Sequence, residues 1–152
     1  MTRSRPLTGR LKTSEIKLMT ESTVDEISPL QRFLRTYRKS EVIFEVGSTG
    51  NEMYLIHSGK VLLSVRRGEN EEAKLAVLNP GDFFGEMALV DDCRRSATAS
   101  ALEDNTHLIA LDKAKFLYMV QQQPQFAISV MHTLCQRLRD LNRQLSAKGD
   151  SV

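Results

Sequence analysis

Gly81-Asp82-Phe83-Phe84-Gly85-Glu86-Met87-Ala88-Leu89, running on to Arg94-Arg95-Ser96-Ala97-Thr98, is the stretch from which this chain is best read. Phe83 and Phe84 anchor it in a core. Gly85 lets the backbone approach a ligand with no Cβ in the way, and Glu86-Met87-Ala88-Leu89 suits one helical turn. Free N–H groups at the start of such a turn attract an anion. Arg95 adds a planar, permanently charged fork able to hold phosphate through two parallel hydrogen bonds, and Ser96 adds a hydroxyl. Glu86 is then left to accept from a sugar hydroxyl. The competing reading is a surface Glu86–Arg95 salt bridge, worth roughly 0–1 kcal/mol. Against it, both charges lie between apolar segments, where an ion pair stabilises weakly.

Outward from this stretch the pattern is one of strands. Asn79-Pro80-Gly81-Asp82 has Pro and Gly at the central positions of a type II turn. Upstream lie Val42-Ile43-Phe44, Met53-Tyr54-Leu55-Ile56, the alternating Lys60 to Arg66, a polar loop over 67–72, and Leu75 to Leu78. Glycine-bearing turns separate them about every ten residues, which predicts a mainly β roll, barrel or sandwich. Downstream, Ser96 to Ala101 alternates hydroxyl and methyl. The alanine face either leaves space inside the roll or marks a tight crossing. Thr106 to Leu111 is a further strand.

Helices flank the β region. Thr23 is a candidate N-cap with Asp25 and Glu26 in the first turn, and Pro29 restarts a helix carrying Leu30, Phe33 and Leu34 through Tyr37. Asp112 caps a second helix, and Pro124 occupies a first helical position in the last. There Ala127, Met131, Leu134, Leu138, Leu141 and Leu145 form a heptad seam. The seam packs on the roll or pairs with a second copy; its regularity favours a homodimer through this helix.

Composition bounds the classes. The 152 residues suit one domain, burying roughly two-thirds of the extended surface. A net charge of +2 is too small to argue for nucleic acid. Residues 1–12 carry four basic groups and no acid, which reads as a solvated arm over 1–22 or a contact to an anionic partner. Cys93 and Cys135 lack metal-ligand spacing and read as free thiols of a reducing, cytoplasmic compartment. The three histidines are scattered, so no metal site and no catalytic set is expected. No apolar run approaches the ~20 residues of a membrane helix.

Phe84-Gly85-Glu86-Met87-Ala88-Leu89 with Arg95-Ser96-Ala97-Thr98 at this spacing resembles the phosphate-binding cassette of the cyclic nucleotide-binding domain family. Glu41-Val42-Ile43-Phe44 with Gly47, Met53 to Ile56 before Gly59, Leu78 to Asp82, and Gln136-Arg137-Leu138 extend the resemblance over about residues 24–145. It implies an eight-stranded β-roll over about 41–111 within a domain spanning 23–146. A helix precedes the roll, C-terminal helices cover about 112–146, and 147–152 form a tail. It further implies 3′,5′-cyclic AMP or GMP as ligand. Glu86 would take the ribose 2′-hydroxyl and Arg95 the cyclic phosphate, helped by the backbone of Gly85, Met87, Ala88 and Ala97. Leu63 and Leu75 would line the wall. Activator-type base contacts map to Arg137, Leu141 and Asn142, of which Leu141 is not polar. Ser96 in place of threonine points to cyclic AMP over cyclic GMP. Ser40 and Ser48 depart from the family pattern outside the cassette.

The expected function is a non-enzymatic receptor that shifts its cassette and last helix on binding and signals to an effector protein not identifiable here. Neither a helix-turn-helix nor a kinase or channel segment is legible. The alternatives are the sensor part of a larger regulator (a transcription factor, channel or kinase) and a ligand-free dimerisation scaffold.

Overall fold

The computed structural model describes residues 29–149. The basic arm, the helix start at Thr23 and the end of the tail lie outside the described residues. Among the described residues, eight strands form two antiparallel four-stranded sheets. The first has the order β1 (Leu34–Tyr37), β8 (Thr106–Asp112), β3 (Glu52–Ser58), β6 (Phe83–Phe84). The second has β2 (Val42–Phe44), β7 (Thr98–Ala101), β4 (Val61–Arg67), β5 (Glu71–Leu78). The expected eight-stranded roll is therefore present.

The continuous apolar run Met53-Tyr54-Leu55-Ile56 is explained by burial on both faces. Tyr54 and Ile56 point between the sheets with Val61, Leu78, Phe84, Ala99, Leu108 and Ala110. Met53 and Leu55 point the other way, onto a layer that includes Phe83, Ile109, Leu111, Met119, Phe126 and Val130. That second layer seats the C-terminal helices, α2 (Lys113–Gln122) and α3 (Pro124–Gly149). Asp112 caps α2 by accepting from the Lys115 N–H at 2.8 Å, and Pro124 opens α3, both as expected. The turn before β6 is type II: Gly81 has φ +94°, and Asp82 N–H donates to the Asn79 carbonyl at 3.0 Å. The Asp82 carboxylate also accepts from Asn79 N–H, so the turn leading into the cassette is closed twice.

Three expectations need correction. The helix read through Tyr37 ends at Phe33 as a short 3-10 turn, Pro29–Phe33. Leu34 to Tyr37 is strand β1, paired in register with β8, so the sheets begin earlier than residue 41. Leu34 and Tyr37 are half-buried at a spacing of three, which mimics a helix face, but the ladder to β8 decides the conformation. Leu75, expected on the wall, is 54% exposed. Ala76 and Leu78 face the core, so Leu75 shares the outer face with Val77, and the β4–β5 register slip between Leu63/Ala76 and Ser64/Lys74 leaves it as the extra residue of a bulge.

The heptad seam, lastly, is not the face that α3 buries. Phe126, Val130 and Thr133, none of them in the seam, bury on the roll; of the seam, Leu134 packs against that core, whereas Met131, Leu138, Leu141 and Leu145 remain exposed. Among the described residues no helix is long and apolar enough to cross a membrane.

Candidate functional site

A cavity of about 320 Å³ opens between the cassette, Phe44 of β2, Leu63 of β4, Leu78 of β5 and α3. Gly85, Glu86, Met87, Ala88, Arg95, Ser96, Ala97, Leu63 and Arg137 all line it, so most of the residues singled out in the sequence converge here. Three do not. Leu75 faces away, and Leu141 and Asn142 are exposed on α3, beyond the cavity wall. The cassette itself is β6, Gly85, Glu86 and the single-turn helix α1 (Met87–Val90). Ala88 is buried, while Met87 is 63% exposed at the rim.

The alanine face of the 96–101 stretch serves both purposes considered for it. Ala99 packs among Tyr54, Val61 and Leu108, while Ala97 lines the cavity. A small side chain at Ala97 leaves the volume that a larger one would occupy.

Arg95 is only 6% exposed. Its Nη2 donates to the Glu52 carbonyl at 2.8 Å and Nη1 to the Gly85 carbonyl at 3.2 Å. The guanidinium lies over the Phe44 ring, 4.2 Å from its centroid. Its backbone is tied to the β2–β3 loop in both directions, Arg95 N–H to Ser48 and Gly47 N–H to Arg95. No carboxylate among the described residues forms an ion pair with it, and its Nε has no hydrogen-bond partner among them. Gly85 is required twice over. Its φ is +75°, and a Cβ there would stand 2.7 Å from Arg95 Nη1.

The anticipated alternative, a Glu86–Arg95 salt bridge, does not form. Glu86 instead accepts from Arg137 Nη1 at 2.5 Å, and Arg137 Nη2 donates to the Phe83 carbonyl at 2.7 Å. Arg137 lies over the Phe83 ring at 4.4 Å. The helix thus reaches the cassette through one side chain that holds both its carboxylate and its backbone.

Sequence reasoning missed Phe44 and Leu78 on the cavity wall, and Cys93 and Arg94 at its edge. It also missed Glu52, whose carbonyl holds Arg95. Phe44 and Leu78 belong to apolar runs that read as core, and a carbonyl acceptor leaves no trace in residue type. Burial pushes the Glu52 carboxyl up, but hydrogen bonds from Arg35 and Tyr54 and the charges of Arg35 and Lys115 outweigh this and hold it below its ordinary value. Burial and the neighbouring Glu52 push the Tyr54 hydroxyl up to about 12. Among the described residues no three His, Cys, Asp or Glu side chains converge as a metal site would need.

Comparison with known proteins places this geometry. The cyclic nucleotide-binding domain family matches residues 34–123. The cyclic AMP receptor protein of Thermus thermophilus is 40% identical over 111 residues, 73% of this chain and 51% of that protein. A cGMP-dependent protein kinase of Caenorhabditis briggsae is 30% identical over 110 residues, 70% of this chain and 15% of that protein. In structure, the catabolite activator protein of Thermus thermophilus matches with a TM-score of 0.70 at 35% identity, covering 95% of this chain and 63% of that one. The chain spans about half the length of the first curated relatives it matches.

Proposed function

The chain belongs to the cyclic nucleotide-binding domain family, and on that premise we propose that it is a receptor, without turnover, for a cyclic nucleotide, cyclic AMP in preference to cyclic GMP. One observation carries the reading. Arg95 is a buried cation whose partners are neutral carbonyls and whose side chain borders a cavity. A buried charge without a counterion is costly, and an anionic ligand in the cavity compensates it. The cyclic phosphate takes the guanidinium and the backbone N–H groups near Gly85, Met87, Ala88 and Ala97, with Ser96 at the edge. The ribose hydroxyl takes Glu86.

Glu86 is already engaged by Arg137 on α3. A ligand hydroxyl entering beside it has to share or displace that guanidinium, so ligand occupancy and helix position are linked. Ligand binding then shifts the population of cassette and helix arrangements rather than driving chemistry. The exposed Met131, Leu138, Leu141 and Leu145 carry the change to a second copy through the seam, and Asn142 approaches the base end only in a rearranged or paired helix. The effector is a further protein. A second reading, the sensor part of a larger regulator, draws on the 51% share of the Thermus thermophilus receptor that this chain matches.

Calorimetric titration with cyclic AMP and cyclic GMP tests the proposal, together with backbone chemical shifts over 81–101 and 130–145. Saturable binding, tighter for cyclic AMP and with shifts in both stretches, is expected. No heat and no shifts with either nucleotide would leave the scaffold reading.

A further inference from the structure

Arg95 is held largely by a residue outside the cassette. Glu52, the first residue of β3, supplies the shorter of the two hydrogen bonds to the guanidinium, through its carbonyl at 2.8 Å. A carbonyl on an unrestrained loop end would be a poor sight line. Here the side chain of the same residue is clamped at both oxygens. Arg35 on β1 donates Nη1 to Oε2 at 2.8 Å and Nη2 to Oε1 at 2.7 Å, and the Tyr54 hydroxyl donates to Oε2 at 3.0 Å. Two parallel N–H···O bonds fix orientation as well as distance. Two residues before Glu52, Gly50 leaves the necessary room: a Cβ there would stand 2.5 Å from Arg95 Nη2.

We infer that Glu52 is a positioning residue for ligand binding, aiming Arg95 through its carbonyl while Arg35 and Tyr54 hold its carboxylate and Gly50 keeps the path clear. This rests on the reading of Arg95 as the phosphate contact. The Arg35–Glu52 pair is poorly placed to act as a stability device. Arg35 is 44% exposed, and such pairs contribute little to folding. Its geometric role therefore separates from a structural one, because affinity responds more than stability does.

The test is a double-mutant cycle on the full chain, with cyclic AMP as the calorimetric probe. Arg35→Gln and Glu52→Gln each weaken binding about fivefold with only a small fall in the unfolding midpoint, and Arg35→Lys restores part of the loss. In an Arg95→Lys background the same changes cost nothing further, since the group being aimed is gone. Gly50→Ala, at a position without positive φ, displaces the guanidinium directly and weakens binding about tenfold with the circular dichroism spectrum retained. Equal losses in both backgrounds, or no loss from any of these variants, would overturn the inference. In ligand-free protein, the Arg95 Nε–Hε resonance moves in Glu52→Gln and stays put in a distant control, Glu103→Gln. An unmoved resonance in Glu52→Gln also overturns it. If the unaltered chain binds no cyclic nucleotide, the receptor reading fails, and this resonance still decides the positioning role.

Discussion

Two arginines face the same cavity and are built alike up to a point. Arg95 lies over Phe44 and Arg137 over Phe83, at 4.2 and 4.4 Å, and each has a buried Nε without a partner among the described residues. They differ in what carries them. Arg95 hangs from the roll and, among the described residues, its side chain bonds backbone carbonyls, that of Gly85 in the cassette and that of Glu52, which is held in the sheet by β3. Arg137 hangs from α3 and bonds the Glu86 carboxylate, which the proposed ligand also needs. A fixed anchor and a movable latch thus address opposite ends of one site. The difference comes from the supporting element, since the residue type is the same.

The largest test of that contrast is to remove each in turn. Arg95→Ala should weaken cyclic AMP binding by about 3 kcal/mol or more, from charge-assisted hydrogen bonds lost. Arg137→Ala should change affinity by about 1 kcal/mol and abolish the ligand-induced shifts over 130–145. Calorimetry and chemical shifts decide it; equal affinity losses, with the helix shifts intact, would erase the distinction between anchor and latch.

The helix that carries the latch can be dissected next. Val130 is 7% exposed on the roll, and Val130→Ala should cost about 2 kcal/mol in denaturant unfolding. Leu138 is 59% exposed, so Leu138→Lys should change monomer stability by no more than about 0.5 kcal/mol. On the proposal that the seam pairs two copies, light scattering should show a dimer mass that falls to that of a monomer in this variant. A monomeric mass in the unaltered chain would remove the seam from the signalling path.

The smallest effect concerns the anchor's support. The Glu52 carboxyl is held below its ordinary 4.5, so its ion pair stabilises the fold above that pH. The contribution disappears as pH falls through the lowered folded value. Thermal unfolding followed downward from neutral pH should therefore show a steeper loss below pH 4.5 in the unaltered chain than in Glu52→Gln. Parallel profiles would show that the clamp on Glu52 is absent in solution.

Much of this architecture was legible in residue order. The type II turn at Asn79 to Asp82, the Asp112 cap and the Pro124 start depend on local backbone preferences and appear where expected. The cassette residues also sit together, because they are close in sequence and share one turn. The failures fall where distant segments arbitrate. Leu34 to Tyr37 has a spacing compatible with a helix until β8 pairs with it. Leu75 lies one residue off the inward-facing Ala76 and Leu78, and a bulge against Leu63 and Ser64 leaves it without a cross-strand partner. Glu86 was assigned a choice between ligand and Arg95, and a side chain far along the chain, Arg137, took the carboxylate instead.

By itself, then, the sequence determined a mainly β domain and the charged groups at residues 81–98, because these follow from short-range patterns, and the resemblance of that one segment to a known cassette supplied the family and the roll. Tertiary structure alone decided which charge meets which. Arg95 turns to the carbonyl of Glu52 and Glu86 to Arg137, pairings across 43 and 51 residues. No local propensity encodes such distances; only the packing of β3 and α3 against the cassette brings those groups within hydrogen-bond reach.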